Sequence, residues 1–206
     1  MSDLVFYTNP QSRGRIIRWM LEEVGALYET KIVDYAAMKG PDYLAINPMG
    51  KVPAITHKGE VVTESAAICA YLADAFPEAN LLPPPGHHKR GTYYRWLFFA
   101  AGPVEAAVTN KALKVDVSEE QSRFVGYGSF DAAIDALELA LKPGPWICGD
   151  QFTAADLYVG SQIGYGMMFG SIEKRPLFED YFGRLQARPA AKRAAELDDA
   201  LMAPAA

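Results

Sequence analysis

Cysteine is scarce in this chain, with two among 206 residues, and Cys69 and Cys148 show no Cys-x-x-Cys spacing. Two thiols cannot build a disulfide framework, and such usage fits a reducing cytoplasm. Histidine is nearly as scarce, at three: His57, His87 and His88. No Gly-x-Ser-x-Gly frame and no Gly-x-x-x-x-Gly-Lys-[Ser/Thr] loop occurs, so neither a nucleophile elbow nor a phosphate loop is present. His87-His88 has no third ligand beside it and reads as solvated linker rather than as a metal site. Apolar runs stop well short of the roughly 20 residues that cross a bilayer. Met1-Ser2-Asp3-Leu4 lacks the basic segment and apolar core of a secretory signal. Positive charge is not in excess: 20 Lys+Arg stand against 25 Asp+Glu, a net of −5. Residues 1–82 hold 7 against 10 and residues 83–206 hold 13 against 15, so neither half offers nucleic acid a basic face. The expectation is a cytoplasmic protein with no metal, no nucleic acid and no membrane partner.

Hydrophobic residues, by contrast, make up 50% of the chain and charged ones 22%, enough to bury a core. The first 82 residues alternate strand-like and helix-like patches. Asp3 to Thr8 is a short apolar and aromatic strand. Arg13 to Val24 has helical spacing through Ile16, Ile17, Met20, Leu21 and Val24, with Gly25 as the stop. Tyr28 to Asp34 alternates as a second strand, so strand, helix and strand form a parallel βαβ unit. Val52 to His57 and Glu60 to Thr63 are predicted to pair through a Lys58-Gly59 turn, and a helix follows from Ser65 to Ala75.

Leu82-Pro83-Pro84-Pro85-Gly86-His87-His88 breaks this pattern, since three consecutive prolines fit neither a helix nor a central strand. It reads as a stiff linker, residues 83–88, between two closely packed domains, 1–82 and 89–206. Beyond it only helical patterns appear: Lys89 to Val115, kinked or split at Pro103, then Glu119 to Leu141, Ala154 to Phe169 and Phe178 to Leu197. The second domain is predicted to be all-α.

Three stretches carry polar groups where ligands bind. Asn9-Pro10-Gln11-Ser12-Arg13-Gly14-Arg15 joins the first strand to the first helix, the end of an open α/β sheet where ligands collect. Ser12 offers a hydroxyl there, or is simply a helix cap. In Gly50-Lys51-Val52-Pro53-Ala54-Ile55, proline opens a strand. Locally it reads as an edge-strand proline in trans; a cis bond would turn the Val52 N–H and C=O out of the sheet. In Thr63-Glu64-Ser65-Ala66-Ala67-Ile68, Ser65 reads as the N-cap of the next helix. It is either that alone or, with the free first-turn amides, an anion site. Glu64 beside it suits a cationic amine. A fourth stretch, Gly149 to Leu157, reads as a folding device: a capping box of Thr153 and Asp156, with Phe152 and Leu157 placed for a hydrophobic staple.

Together the Ser12 region, the run Asn47-Pro48-Met49-Gly50-Lys51-Val52-Pro53-Ala54-Ile55, the run Glu64-Ser65-Ala66-Ala67-Ile68-Cys69-Ala70-Tyr71-Leu72, and Gly149 to Leu157 resemble a cytosolic glutathione transferase of bacterial type, over essentially the whole chain. The resemblance implies an α/β thioredoxin-like N-terminal domain plus an all-α C-terminal domain. It implies glutathione as co-substrate, a small hydrophobic electrophile as second substrate, and a homodimer in detoxification chemistry. It implies that Val52, ahead of a cis Pro53, pairs with the cysteinyl backbone. Glu64 and Ser65 would hold the γ-glutamyl end, and Lys51 and Lys39 would face the glycine carboxylate. The thiol-activating hydroxyl would come from Ser12, where serine-type members place it, or from Tyr7, where tyrosine-type members do, with Arg13 stabilising the thiolate in either case. An apolar electrophile pocket would draw on Tyr93, Trp96, Phe99, Tyr165, Met168 and Phe169, or these residues are plain core. A glutathione-dependent peroxidase or disulfide reductase, and a non-catalytic binding protein on the same frame, are the alternative readings.

Overall fold

Strand β1 (Leu4–Thr8) alternates sharply, burying Leu4, Phe6 and Thr8 on one face and half-burying Val5 and Tyr7 on the other. The computed structural model, which describes residues 3–202, places this strand at the centre of its first unit. Helix α1 (Gly14–Val24) ends at Gly25, whose φ of 65° suits a residue without a Cβ. It returns the chain to β2 (Glu29–Ile32), parallel to β1. A 3-10 turn (Ala37–Lys39) and the short helix α2 (Pro41–Leu44) follow. Strands β3 (Ala54–His57) and β4 (Glu60–Thr63) form an antiparallel hairpin, with Lys58 and Gly59 both at positive φ in the turn. The sheet order is β2-β1-β3-β4, and α3 (Ser65–Ala75) closes the unit's first run.

Both faces of the sheet are covered. Leu4 and Phe6 are buried with Ile16, Ile17, Met20 and Leu21 of α1 and Ile68 and Leu72 of α3. On the other face Val33, Met38 and Tyr43 form a small cluster, against which Tyr7, Ile46 and Val52 pack. Each large apolar side chain so buried contributes about 1.5–3 kcal/mol.

The second unit, residues 81–186, is helical apart from an isolated bridge between Trp146 and Gly149. It comprises α4 (Lys89–Phe99), α5 (Glu105–Ala112), α6 (Phe130–Leu141), α7 (Ala154–Phe169) and α8 (Pro176–Gln186). Between α4 and α5, residues Ala100–Val104 form a widened π-helical turn around Pro103, which has no N–H to give to the ladder. Helix α7 is buried nearly all round, and at Gly160 an added Cβ would lie 1.9 Å from Leu185. That glycine lets α8 pack directly on the α7 backbone.

Several boundaries differ from the sequence reading. The predicted helix from Glu119 begins only at Phe130, after a 3-10 turn (Gln121–Arg123) and a loop, where the Ser129 hydroxyl accepts from the Ala132 N–H at 3.1 Å. The predicted helix 178–197 is two helices, because Pro189 disfavours helical geometry at Arg188, which is extended at φ −64°, ψ 135°. The break has a consequence for domain organisation. Helix α9 (Pro189–Ala200) packs along α1, so residues 187–202 group with residues 3–80 rather than with the helices that precede them. The chain therefore divides after residue 80 and again after 186, whereas the sequence division runs 1–82, 83–88 and 89–206.

Candidate functional site

Polar side chains hold the loop between β1 and α1 in place. Asn9 is buried, donates its side-chain amide to the Val33 carbonyl at 3.2 Å and accepts the Gln11 N–H at 3.0 Å. The Arg15 Nε donates to the Pro10 carbonyl at 2.7 Å, and the Tyr35 hydroxyl to the Gln11 carbonyl at 3.0 Å. Within this frame the half-buried Ser12 hydroxyl donates to the Asn9 carbonyl at 2.7 Å and accepts the Gly14 N–H at 2.9 Å. The Ser12 oxygen thus sits at the first turn of α1, where a helix favours negative charge. Arg13 occupies the cap position and is exposed. Tyr7 projects to the other face of β1, its ring centroid 6.0 Å from that of Tyr43. Lys31 approaches the Tyr7 ring at 5.7 Å.

The second stretch centres on residues 47–53. Asn47 organises the turn: its Oδ1 accepts the Met49 N–H at 3.0 Å and its carbonyl accepts the Gly50 N–H at 2.8 Å. Gly50 has φ 58°, and a Cβ there would meet the Met38 carbonyl oxygen at 2.6 Å, so only glycine fits without a shift. The Val52–Pro53 bond is cis, as the resemblance implied and the local sequence did not. Among the described residues nothing hydrogen-bonds to the half-buried Val52 N–H or C=O. The Lys39 ammonium donates to the Met49 carbonyl at 2.9 Å, while Lys51 is exposed without a side-chain partner among the described residues.

At the third stretch the structure corrects the sequence reading. Ser65 is the first residue of α3, not its cap; Glu64 takes the cap position, at φ 65° and ψ 118°. That conformation is rare for a residue with a Cβ and costs about 1–3 kcal/mol. It starts the helix one residue early and leaves Glu64 exposed and Ser65 half-buried, neither with a side-chain bond among the described residues. The start of α3 therefore presents an acceptor carboxylate, a hydroxyl and uncapped first-turn amides.

The remaining expectations sort as follows. Tyr93 and Trp96 are buried, Phe99 and Tyr165 half-buried, and Met168 and Phe169 exposed. The capping box at the start of α7 is formed, with Asp156 accepting the Thr153 N–H at 2.9 Å. The sequence gives Tyr43 no role, and it places Asn9 and Asn47 in quoted stretches without a hydrogen-bonding role. Asn47 opens the quoted Asn47-Pro48-Met49-Gly50 run, but its hydrogen-bonding role depends on a chain reversal that spacing does not reveal.

Neither cysteine belongs to these stretches. Both thiols are buried, which raises the Cys69 pKa strongly and pushes Cys148 up to about 11. Iodoacetamide at pH 7.5 is therefore expected to leave both unmodified in the folded protein and to label both in denaturant, read by intact mass. Labelling of the native chain would show that a thiolate is accessible.

Known proteins share this arrangement. The family model for the glutathione S-transferase N-terminal domain matches residues 13–75, and that for the C-terminal domain residues 105–165. Glutathione S-transferase GstA of Escherichia coli O157:H7 is 32% identical over 166 residues, which is 80% of this chain and 79% of that protein. A glutathione transferase structure from Methylococcus capsulatus aligns with a TM-score of 0.79 at 30% identity, covering 96% of this chain and 99% of that one. A sphingomonad glutathione S-transferase solved in complex with glutathione aligns with a TM-score of 0.77 at 29% identity, covering 95% and 98%. The chain belongs to the glutathione S-transferase superfamily. Its fold is that family's: a thioredoxin-like α/β domain with a four-stranded mixed sheet, then an all-helical domain. Among the described residues no helix is long and apolar enough to cross a membrane.

Proposed function

We propose that this chain is a glutathione transferase whose residues 1–82 bind glutathione and whose Ser12 activates the thiol for attack on small apolar electrophiles. The Val52 backbone, unpartnered among the described residues, carries the reading, since it offers an extended peptide one donor and one acceptor. Glutathione's cysteinyl unit fits that pair. Its γ-glutamyl carboxylate suits the α3 amides and the Ser65 hydroxyl, and its ammonium suits Glu64. Lys51 is free to meet the glycine carboxylate, whereas Lys39 must share its ammonium with Met49.

The chemical task is to hold a thiolate at neutral pH. Lowering a thiol pKa from about 8.5 by two units takes about 2.7 kcal/mol. A hydrogen bond to the charged sulfur supplies roughly 1.5–3 kcal/mol, and the α1 N-terminus about 0.3–2 more. The thiol proton leaves to solvent, and the sulfur forms the new bond to carbon as the leaving group departs with its electron pair. Ser12 is favoured over Tyr7 because its oxygen already receives the Gly14 amide at the helix start, while the Tyr7 ring packs with Val33, Met38 and Tyr43. To bind sulfur, the Ser12 proton must turn away from the Asn9 carbonyl. The buried cysteines give no support to mixed-disulfide chemistry through a protein thiol. A homodimer belongs to the same reading.

Calorimetric titration tests the site. Wild type is expected to bind glutathione in the micromolar-to-millimolar range, and Glu64→Ala/Ser65→Ala about 100-fold more weakly, as two charge-assisted hydrogen bonds are lost. Absence of binding to wild type would sink the reading. For the activating hydroxyl, Ser12→Ala is expected to lower kcat about 10- to 100-fold. It should also return the bound thiol's titration, followed by thiolate absorbance, toward that of free glutathione. The opposite result, with Tyr7→Phe causing the loss and Ser12→Ala neutral, would assign the role to Tyr7.

A further inference from the structure

Lys51 presents its carbonyl inward and receives two side-chain hydrogen bonds there. The Tyr43 hydroxyl donates to it at 2.8 Å and the Asn47 Nδ2 at 2.7 Å. Both donors are buried, at 5% and 3% exposure, so neither is a surface residue in casual contact. A carbonyl held by two donors cannot swing.

That carbonyl shares a peptide unit with the Val52 N–H. The unit is planar, and because the one cis bond among the described residues is Val52–Pro53, the Lys51–Val52 bond is trans. In a trans unit the C=O and the N–H point in opposite directions. Pinning the Lys51 oxygen toward Tyr43 and Asn47 therefore aims the Val52 N–H away from them, and it meets no acceptor among the described residues. We infer that Tyr43 and Asn47 are positioning residues that fix the Lys51–Val52 peptide plane, so that the Val52 N–H is already aimed at the cysteinyl carbonyl of bound glutathione. The inference rests on the glutathione reading above and adds two residues to it.

The wiring gives each residue a separable role. Asn47 also accepts from Met49 and so shapes the turn. Tyr43 makes its bond from α2, and its ring packs in the cluster with Met38 and Val33. Burial pushes the Tyr43 hydroxyl up to about 12, which keeps it a donor throughout the neutral range. Both side chains donate to the Lys51 carbonyl, and Asn47 also hydrogen-bonds to the Tyr43 hydroxyl, so the two act as one cluster. Without them the peptide can rotate, and glutathione must select the binding orientation from several. A preorganised donor avoids that ordering cost. The consequence falls on affinity, not on the sulfur chemistry, which Ser12 controls.

Tyr43→Phe removes the hydroxyl and keeps the ring; Asn47→Asp keeps the acceptor for Met49 and removes the donor. Each is expected to raise the glutathione Kd and KM about 3- to 10-fold, and the pair about 10- to 100-fold, with kcat at saturating glutathione retained. A purely structural defect would not reproduce one further signal. In 15N-labelled protein the Val52 amide of free wild type should be a single sharp resonance that moves downfield when glutathione is added. In the free double variant it should be broadened or doubled by exchange among orientations and reach the bound position only at saturating glutathione. If wild type binds glutathione and the variants bind equally well, or lose kcat with KM unchanged, the positioning role is wrong and the site reading stands. If wild type does not bind, the site reading itself fails. Should the double variant not fold, as judged by its urea transition, the Tyr43→Phe single decides.

Discussion

Asp156→Ala is expected to lower folding stability by about 3–5 kcal/mol, the range for uncovering buried partners of a charged group. Asp156 is fully buried at the third position of α7, and its carboxylate serves four donors. Oδ1 accepts the Ile147 N–H at 2.7 Å and the Tyr181 hydroxyl at 2.9 Å. Oδ2 accepts the Thr153 N–H at 2.9 Å and the Thr153 hydroxyl at 2.8 Å. One side chain thus ties the loop after α6, the start of α7 and the middle of α8. Burial raises this carboxyl's pKa above the usual range, and the four donors pull it back. Alanine would strand all four in a dry interior. Asp156→Asn keeps the shape but turns one acceptor into a donor facing donors, so it is expected to recover only part of the loss. Urea unfolding followed by tryptophan fluorescence and by far-UV circular dichroism measures both. A loss under 1 kcal/mol for Asp156→Ala would mean that water or a shifted loop satisfies the donors.

The second large effect lies in the first unit, where Arg18 of α1 meets Asp198 of α9. Their side chains are 4% and 1% exposed, and Nε donates to Oδ1 at 3.1 Å. The guanidinium also donates to the Tyr28 hydroxyl at 3.0 Å and to Thr30 at 2.8 Å, and lies 5.0 Å from the Phe6 ring centre. Arg18→Ala is expected to cost about 3–5 kcal/mol, because it leaves Asp198 buried without its counter-charge. Burial already pushes the Asp198 carboxyl upward, and Arg18, with a smaller contribution from Arg15, draws it back. The pair itself is worth far less than its rupture suggests. Arg18→Met/Asp198→Leu, which removes both charges and keeps apolar volume, is expected to recover most of the stability. Trypsin gives a local readout: in Arg18→Ala helix α9 should be cut at Lys192 and Arg193 much faster than in wild type. If the double variant is as unstable as the single, packing rather than charge holds α9.

The third helix shows why one residue's backbone can escape a sequence reading. Ser65 before an apolar run has the composition of a cap, yet Glu64 holds that position at positive φ. Cap preference is local and worth about 1 kcal/mol, so the closure of β4 onto α3 overrides it. The helix from Phe178 fails for a similar reason in reverse. Its apolar spacing runs on past Pro189, but a proline restricts the residue before it, and the chain turns at Arg188.

Much of the molecule follows from its own sequence. Alternation in Leu4–Thr8, the 3.6-residue spacing of Ile16, Ile17, Met20 and Leu21, the Lys58-Gly59 turn and the proline run at 83–85 are local signals. Local signals suffice because side-chain periodicity and backbone sterics act over a few residues. The Thr153/Asp156 capping box was legible for the same reason. What the tertiary structure alone decided is long-range. The packing of α9 on α1 joins residues 180 positions apart through Arg18 and Asp198. The peptide plane at Lys51–Val52 is set by Tyr43, eight residues away across a chain reversal. Ser12's oxygen is placed by the Asn9 carbonyl, and Asn9 is itself anchored by its side-chain amide to the carbonyl of Val33, just after β2. Such contacts depend on where the chain returns in space, and no pattern of neighbouring residues encodes that return.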